Sequence, residues 1–364
     1  MRPGQVSPSD YAALLDAKVT STSALFSELS HPPITVVPSI TSHFRLRAEF
    51  RIWHDGDDMY HIMFDPATKE KIRIDSFPVA CERIADIMPT LIEALKSRPV
   101  LRHRLYQIDY LSSLSGELII SLIYKKPIPD TWQAEAQALK QELAMGQPLH
   151  FIGRARKQKI LVDTDTLTER LQIGTDTLYY RQMENSFSQP NGDINQKMLL
   201  WARQVSTQLS GDLLELYCGN GNFSIALAPY FTTVVATELS KSSIKLAEEN
   251  IQLNQVNNVH VLQMAAEDVS HALAQGKQLK HLDLSHLNLN TLLVDPPRAG
   301  LDEASLAFAQ QFNDIIYVSC NPVTLAANLQ ELCKTHRIEQ FSFFDQFPYT
   351  HHIESGVWLR RITP

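Results

Sequence analysis

Two α/β domains of different kinds are predicted: an N-terminal α+β domain with a mainly antiparallel sheet, then a C-terminal Rossmann-like, doubly wound sheet. Three observations carry this. The 364 residues give room for two domains of ordinary size. Between residues 44 and 75, apolar and charged side chains alternate with the period of half-buried antiparallel strands. From Asn195 onward, short apolar runs alternate with helical patterns, as parallel strands joined by helical crossovers require. The boundary is placed between residues 190 and 191, with residues 1–33 a candidate to pack on the C-terminal domain.

Residues 8–30 read as helix, with Ser7 or Ser9 as cap and Tyr11, Leu14, Leu15 and Val19 at helical spacing. Pro32 and Pro33 stop it, since proline lacks an N–H and restricts its predecessor. Strands are expected over 44–53 and 59–64 around the turn 54–58, and then over 106–113, 118–124, 159–162 and 177–180. Helices are expected over 82–97 and 131–145. In the second domain, helix 195–209 leads into a buried strand over 212–217. Helix from 223, strand 233–236, helix 242–254, strands 259–263 and 291–294, helix 304–311, strand 315–318 and helix 323–334 follow. Residues 338–344 and 356–362 read as an antiparallel hairpin at the sheet edge.

No apolar stretch is long enough to span a bilayer, and the start lacks the apolar core of a signal peptide, so a cytoplasmic protein is expected. The net charge of −7 argues against a general nucleic-acid coat protein. The charge is uneven, however. Residues 1–160 carry 20 Lys and Arg against 18 Asp and Glu, and residues 161–364 carry 13 against 22. A polyanion would therefore meet the first part, through Arg45/Arg47/Arg51, Lys96/Arg98/Arg102/Arg104 or Arg154/Arg156/Lys157/Lys159, unless these are only solvated faces. The cysteines Cys81, Cys218, Cys320 and Cys333 show no CxxC spacing, so neither a metal or iron–sulfur site nor a disulfide framework is expected.

Glu215-Leu-Tyr-Cys-Gly219-Asn-Gly221-Asn222-Phe223 lies at a strand-to-helix turn, where glycine lets backbone approach a ligand. Glu238 ends the next strand, at the distance where a carboxylate accepts from ribose hydroxyls. The third glycine of a dinucleotide loop is replaced by Ser224, so no pyrophosphate seat is evident. S-adenosylmethionine (SAM), which has no phosphate, fits better, and NAD is the alternative.

Asp295-Pro-Pro-Arg298-Ala-Gly300 follows one buried strand and Ser319-Cys320-Asn321-Pro322 the next. Ligands of open α/β sheets collect at such carboxyl ends. Cys320 is either a buried structural thiol or a nucleophile. As a nucleophile it could add to C6 of a pyrimidine and make C5 reactive toward a sulfonium methyl, after which a base must remove the C5 proton. Glu354, in a loop between the last two strands, could be that base; His351 and His352 are alternatives.

Taken together, Gln189 in Glu184-Asn-Ser-Phe-Ser-Gln-Pro190, the Gly219 loop, Glu238, Asp295–Arg298, Ser319–Pro322 and His352-Ile-Glu354 resemble the RNA 5-methyluridine methyltransferase family over residues 40–364. The resemblance implies SAM as methyl donor, held by Gln189, Tyr217, Asn222, Glu238 and Asp295. It also implies Cys320 as nucleophile and Glu354 as proton-abstracting base. Family members acting on ribosomal RNA commonly carry a four-cysteine iron–sulfur site or an added small barrel. This chain has neither pattern, and its run Arg47–Gly56 is more similar to the branch acting on uridine 54 of the tRNA T-loop, with tmRNA as a related substrate. The resemblance thus implies tRNA through its T-arm as partner; the absence of a long apolar stretch argues against a membrane, and a monomer is expected. The N-terminal domain then becomes an RNA-binding platform, with Tyr106 as a candidate to hold a base next to a flipped uridine, or else a core tyrosine. Other readings are a ribosomal RNA or cytosine C5 methyltransferase, a nicotinamide-dependent oxidoreductase and a non-catalytic RNA chaperone.

Overall fold

A computed structural model describes residues 4–265, 268–269, 278–279, 282–283 and 286–362. Met1 to Pro3 of the opening run thus lie outside the described residues. Two compact units emerge. One comprises Met1–Ser9, Ile40–Arg170 and Arg181–Gly192; the other comprises Asp10–Ser39, Leu171–Tyr180 and Asp193–Pro364.

Helix α1 (Tyr11–Ser23) is shorter than the expected 8–30 and has Asp10, not Ser7 or Ser9, at its N-cap position. It tightens into a 3₁₀ turn, Ala24–Phe26, that buries Phe26 edge-on against Phe341, 4.8 Å between ring centroids. Strand β1 (Thr35–Val37) was hidden by its three-residue length and the prolines on either side.

The first unit holds β2 (Arg47–Asp55), β3 (Asp58–Phe64), β4 (Lys71–Ile74), α2 (Glu82–Lys96), α3 (Pro99–Arg102), β5 (Leu105–Ser112), β6 (Leu118–Tyr124), α4 (Trp132–Leu143), β7 (Leu149–Ala155) and β8 (Gln158–Leu161). Its sheet runs β4-β3-β2-β5-β6-β7-β8. All neighbours are antiparallel except β6 and β7, where α4 provides the crossover that a parallel pair needs. Helix α2 buries Ile84, Ile87, Met88, Leu91, Ile92 and Leu95 along one stripe against this sheet. Strand β7 went unread because Gly153 interrupts it. A Cβ there would come within 2.9 Å of the Trp132 ring, so only glycine lets α4 lie so close. A separate hairpin follows, β9 (Thr166–Ile173) with β10 (Asp176–Met183).

The second unit continues with α5 (Gly192–Ser206), β11 (Asp212–Leu216), α6 (Asn222–Leu227), β12 (Val234–Glu238), α7 (Lys241–Leu253), β13 (Val259–Gln263), the small pair β14 (Gln278–Leu279) and β15 (Leu282–Asp283), then β16 (Leu289–Val294). Helix Glu303–Ala309, β17 (Asp314–Ser319), helix Pro322–Leu332, β18 (His336–Phe344) and β19 (Glu354–Arg361) complete it. Its sheet order is β1-β18-β19-β17-β16-β11-β12-β13. Strands β17, β16, β11, β12 and β13 are parallel, and β11 and β17 are buried at every residue, as strands covered on both faces must be. The order reverses at β11, so the crevice expected for ligands opens at its carboxyl end. Two expectations need correction. The terminal hairpin is not the sheet edge, because β1 pairs parallel on β18 outside it. And Glu354 is not in the connecting loop but is the first residue of β19, paired with Phe344.

Candidate active site

Strand register brings the chemistry together. Strands β17 and β19 run antiparallel with Ser319 opposite Ser355. One step further, Cys320 leaves β17 where Glu354 enters β19, so the two occupy facing positions at one rim of the sheet. On the other side of β17, Val294 is in parallel register with Tyr317, and Asp295 follows it onto the same rim. Cys320 and Asp295 are half-buried, Glu354 is 4% exposed and Arg298 is exposed.

Burial dominates the electrostatics. It raises the Glu354 carboxyl well above its ordinary range, and the Asp295 carboxylate adds to this while Arg298 opposes it. Burial likewise raises Asp295. Cys320 is raised first by burial, then by the charges of Glu354 and Asp295, with Arg298 pulling the other way. Two carboxyls and a thiol that share a poorly solvated rim favour their protonated forms, and a cation brought among them would favour the ionised ones.

The two loops that carry these groups are pinned to each other. Asn321 caps helix Pro322–Leu332 by accepting from the Val323 N–H at 3.2 Å, and its Nδ2 donates to the Arg298 carbonyl at 2.8 Å. The Thr324 hydroxyl donates to the same carbonyl at 3.2 Å. Gly300 closes the Asp295 loop at φ +76°, and a Cβ there would lie 2.7 Å from Asn328 Oδ1. That oxygen accepts from the Leu301 N–H (2.8 Å) and the Tyr317 hydroxyl (2.7 Å).

The Gly219 loop has the features of a nucleoside cradle. Tyr217 sits at φ +62°, a strained conformation for a tyrosine and one that clusters at functional sites. Gly219 is at φ +56°, and a Cβ there would meet nothing within 4 Å, so the space in front of it is open. Its N–H donates to Glu238 Oε2 at 3.1 Å, while Oε1 accepts from Leu239 and Ser240 N–H groups at 2.8 Å. Glu238 is thereby fixed with lone pairs to spare for hydroxyl donors. Beneath the loop Glu215 is fully buried, accepts from the Ser224 hydroxyl and is pushed up to about 8 by its burial. An open cradle beside a fixed carboxylate, with Asp295 on the same side of the sheet, suits SAM, whose ribose offers donors and whose sulfonium is a cation.

Asn222 is held within the second unit. Its side-chain amide forms a reciprocal pair with Asn195, at 2.9 and 3.1 Å, and its carbonyl accepts from the Tyr180 hydroxyl at 3.0 Å. Gln189 belongs to the first unit, in a turn where Arg47 donates to the Ser186 carbonyl and the Leu46 N–H to that of Pro190, both at 2.8 Å. His351 is exposed. His352 is half-buried, with its imidazole pKa lowered by burial and by neighbouring cations. Tyr106 is half-buried, and its ring centroid lies 4.0 Å from both the Arg51 guanidinium and the Lys125 ammonium. Several of the basic residues are used locally. Lys96 pairs with Asp58 and Glu93, Arg98 with Glu142, Arg154 with Glu184 and Lys159 with Asp165. Among the described residues no group of three or more His, Cys, Asp or Glu side chains is placed to hold a metal, and no helix is long and apolar enough to cross a membrane.

Sequence reasoning missed Asn321 as the tie between the loops, Asn195 as the partner of Asn222, and Arg298 as the cation at the rim. An Asn-Pro at a strand-to-helix turn is an N-cap signature and could have flagged the first. Nothing local marks the second, whose partner is 27 residues away.

Comparison with known proteins bears directly on this rim. The family model described as tRNA (Uracil-5-)-methyltransferase matches residues 10–362. A tRNA/tmRNA (uracil-C(5))-methyltransferase of Colwellia psychrerythraea is 50% identical over 359 residues, covering 98% of this chain and 99% of that one. One of Shewanella sediminis is 50% identical over 364 residues, covering 99% and 100%. Among solved structures, the Pyrococcus abyssi tRNA (uracil-54, C5)-methyltransferase in complex with S-adenosyl-L-homocysteine superposes with a TM-score of 0.71. It is 22% identical, with 96% of this chain and 83% of that one covered, a likeness of fold.

Proposed function

Because this chain belongs to the tRNA (Uracil-5-)-methyltransferase family, we propose that it transfers a methyl group from SAM to C5 of a uridine in tRNA, at position 54 of the T-loop, and acts on tmRNA as well. One observation carries the reading: the β17–β19 register that sets a thiol, Cys320, opposite a buried carboxyl, Glu354, on the rim that also holds Asp295.

In this reading Gln189, Tyr217, Asn222, Glu238 and Asp295 would hold SAM, with Glu238 accepting from hydroxyl donors and Asp295 supplying a carboxylate that suits a cation. SAM, when bound, supplies an electrophilic methyl on a cationic sulfur. A cation held beside Asp295 would favour the ionised forms of the Cys320 thiol and the Glu354 carboxyl. The Cys320 thiolate adds to C6 of the uracil, and the C5–C6 π electrons move out toward O4, leaving C5 nucleophilic. Once C5 carries the methyl, the Glu354 carboxylate takes the C5 proton. The electron pair released re-forms the C5–C6 double bond and expels the Cys320 thiolate. Arg298 is the cation that keeps these acids from being raised further.

RNA binding is assigned to the first unit and methyl transfer to a flipped uridine to the second, which includes α1. The Tyr106–Arg51–Lys125 cluster offers an aromatic ring among cations, a combination suited to RNA. The enzyme is placed in the cytoplasm, as a monomer without metal or iron–sulfur cluster. Methyl-labelled SAM with unmodified tRNA and with ribosomal RNA, followed by nucleoside mapping, tests the substrate. Label in 5-methyluridine at tRNA position 54 is expected; label confined to ribosomal RNA, or in 5-methylcytidine, would overturn it.

A further inference from the structure

Far from the Gly219 loop in sequence, the second unit contains a buried ionic knot that the reaction scheme does not use. Lys18, in the middle of α1, is only 8% exposed. An ammonium has three donors, and here all three are taken by one loop. Lys18 Nζ donates to Asp345 Oδ1 at 2.6 Å, to the Phe347 carbonyl at 3.0 Å and to the His352 carbonyl at 3.1 Å. The other oxygen of Asp345 accepts from the Tyr11 hydroxyl at 2.8 Å, and that hydroxyl accepts from the Ser39 N–H, also at 2.8 Å. Asp345 itself is 1% exposed, and its N–H donates to the Val37 carbonyl at 3.0 Å.

The loop so gripped connects β18 to β19. Lys18 ties its first residue, its third and its last but one, and thereby holds the two ends together. Directly after the His352 carbonyl come Ile353, fully buried, and Glu354. Glu354 is therefore fixed from two directions: by its ladder position opposite Phe344, and by the Lys18 bond two residues upstream. The loop between contains Tyr349 at φ +64°, which turns its ring onto Tyr11 at 5.8 Å between centroids. A cavity of about 300 Å³, lined in part by Leu14, Lys18, Tyr349 and His351, leaves room for the loop to relax if the knot is cut.

Resting on the assignment of Glu354 as base, we propose that Lys18, with Asp345 and Tyr11, is a positioning device for the proton-abstraction step, so that α1 sets the placement of the Glu354 carboxylate. A long buried lysine serving only as a fold anchor would affect every step alike. A positioning role is selective. Adduct formation depends on Cys320, which directly follows β17, whereas release of the C5 hydrogen depends on Glu354. A shift of about 1 Å in a reacting group can cost on the order of 100-fold.

The experiment separates the two steps in single turnovers. Adduct formation is read with RNA containing 5-fluorouridine, and release with RNA tritiated at uridine C5. Lys18→Met is expected to slow release on the order of 10- to 100-fold, to accumulate methylated protein–RNA adduct, and to leave adduct formation within about threefold of the parent. Lys18→Met/Asp345→Asn, which leaves no buried charge unpaired, should show the same split if the single variant does not fold. Tyr11→Phe, which removes one hydroxyl, should show it in milder form. Equal losses in both steps, or none, in the variants that fold would overturn the positioning role. Glu354→Gln is run in parallel: if it releases the hydrogen at the parental rate, the base assignment fails instead.

Discussion

Replacing Asn321 probes the tie between the two catalytic loops. Asn321→Ala removes two interactions: the N-cap of helix Pro322–Leu332 and the 2.8 Å bond to the Arg298 carbonyl. Loss of an asparagine cap costs about 1 kcal/mol. The second loss is smaller than a full hydrogen bond, because Thr324 still donates to that carbonyl at 3.2 Å, and about 0.5 kcal/mol is appropriate. A stability loss of about 1.5 kcal/mol is expected in urea unfolding. Asn321→Asp divides the two. A carboxylate keeps the acceptor for the Val323 N–H and suits a helix N-terminus, so the loss should stay below about 1 kcal/mol. It has no donor for the Arg298 carbonyl, however, and so should loosen the tie between the Asp295 and Cys320 loops to the Thr324 bond alone at that carbonyl. Adduct formation with 5-fluorouridine RNA in single turnovers should fall on the order of 10-fold or more in both variants. An Asn321→Asp enzyme that forms adduct at the parental rate would refute the idea that this bond aligns the rim.

Cys320 and Glu354 act ionised, and burial raises both, so each loses activity as pH falls through its raised pKa. The methylation rate should therefore climb from pH 6 to 9, and a rate that is flat or falls over that range would contradict the assignment. Gly300→Ala adds a Cβ 2.7 Å from Asn328 Oδ1 at a positive φ, which should destabilise the protein by about 2–3 kcal/mol. Thermal unfolding measures this, and an unchanged midpoint would mean the Asn328 bonds do not hold that loop.

The doubly wound half was legible because its strands are buried on both faces and punctuated by helices, so each reads as an apolar run. The antiparallel half was less legible. Strand β7 carries Gly153 because α4 packs on it, and that need arises from the fold rather than from local propensity. Strand β1 is three residues long and exists only because β18 offers it an edge. At the site, Cys320 and Asp295 were visible as strand-end residues. Glu354 was misplaced into a loop, because the run from Asp345 to Ile353 reads as continuous turn and the start of β19 is set by pairing with β17 and β18. The Lys18–Asp345 pair joins residues 327 apart, and no spacing rule could have paired them.

In the proposed reaction Cys320 joins enzyme and substrate during turnover. Incubation with SAM and tRNA containing 5-fluorouridine, followed by denaturing electrophoresis and mass spectrometry of the RNA-linked peptide, reads this bond out. Fluorine cannot leave as a proton does, so the methylated adduct should persist, map to Cys320 and be absent from Cys320→Ala. An adduct that survives Cys320→Ala, or that maps to another cysteine, would rule out Cys320 as the nucleophile.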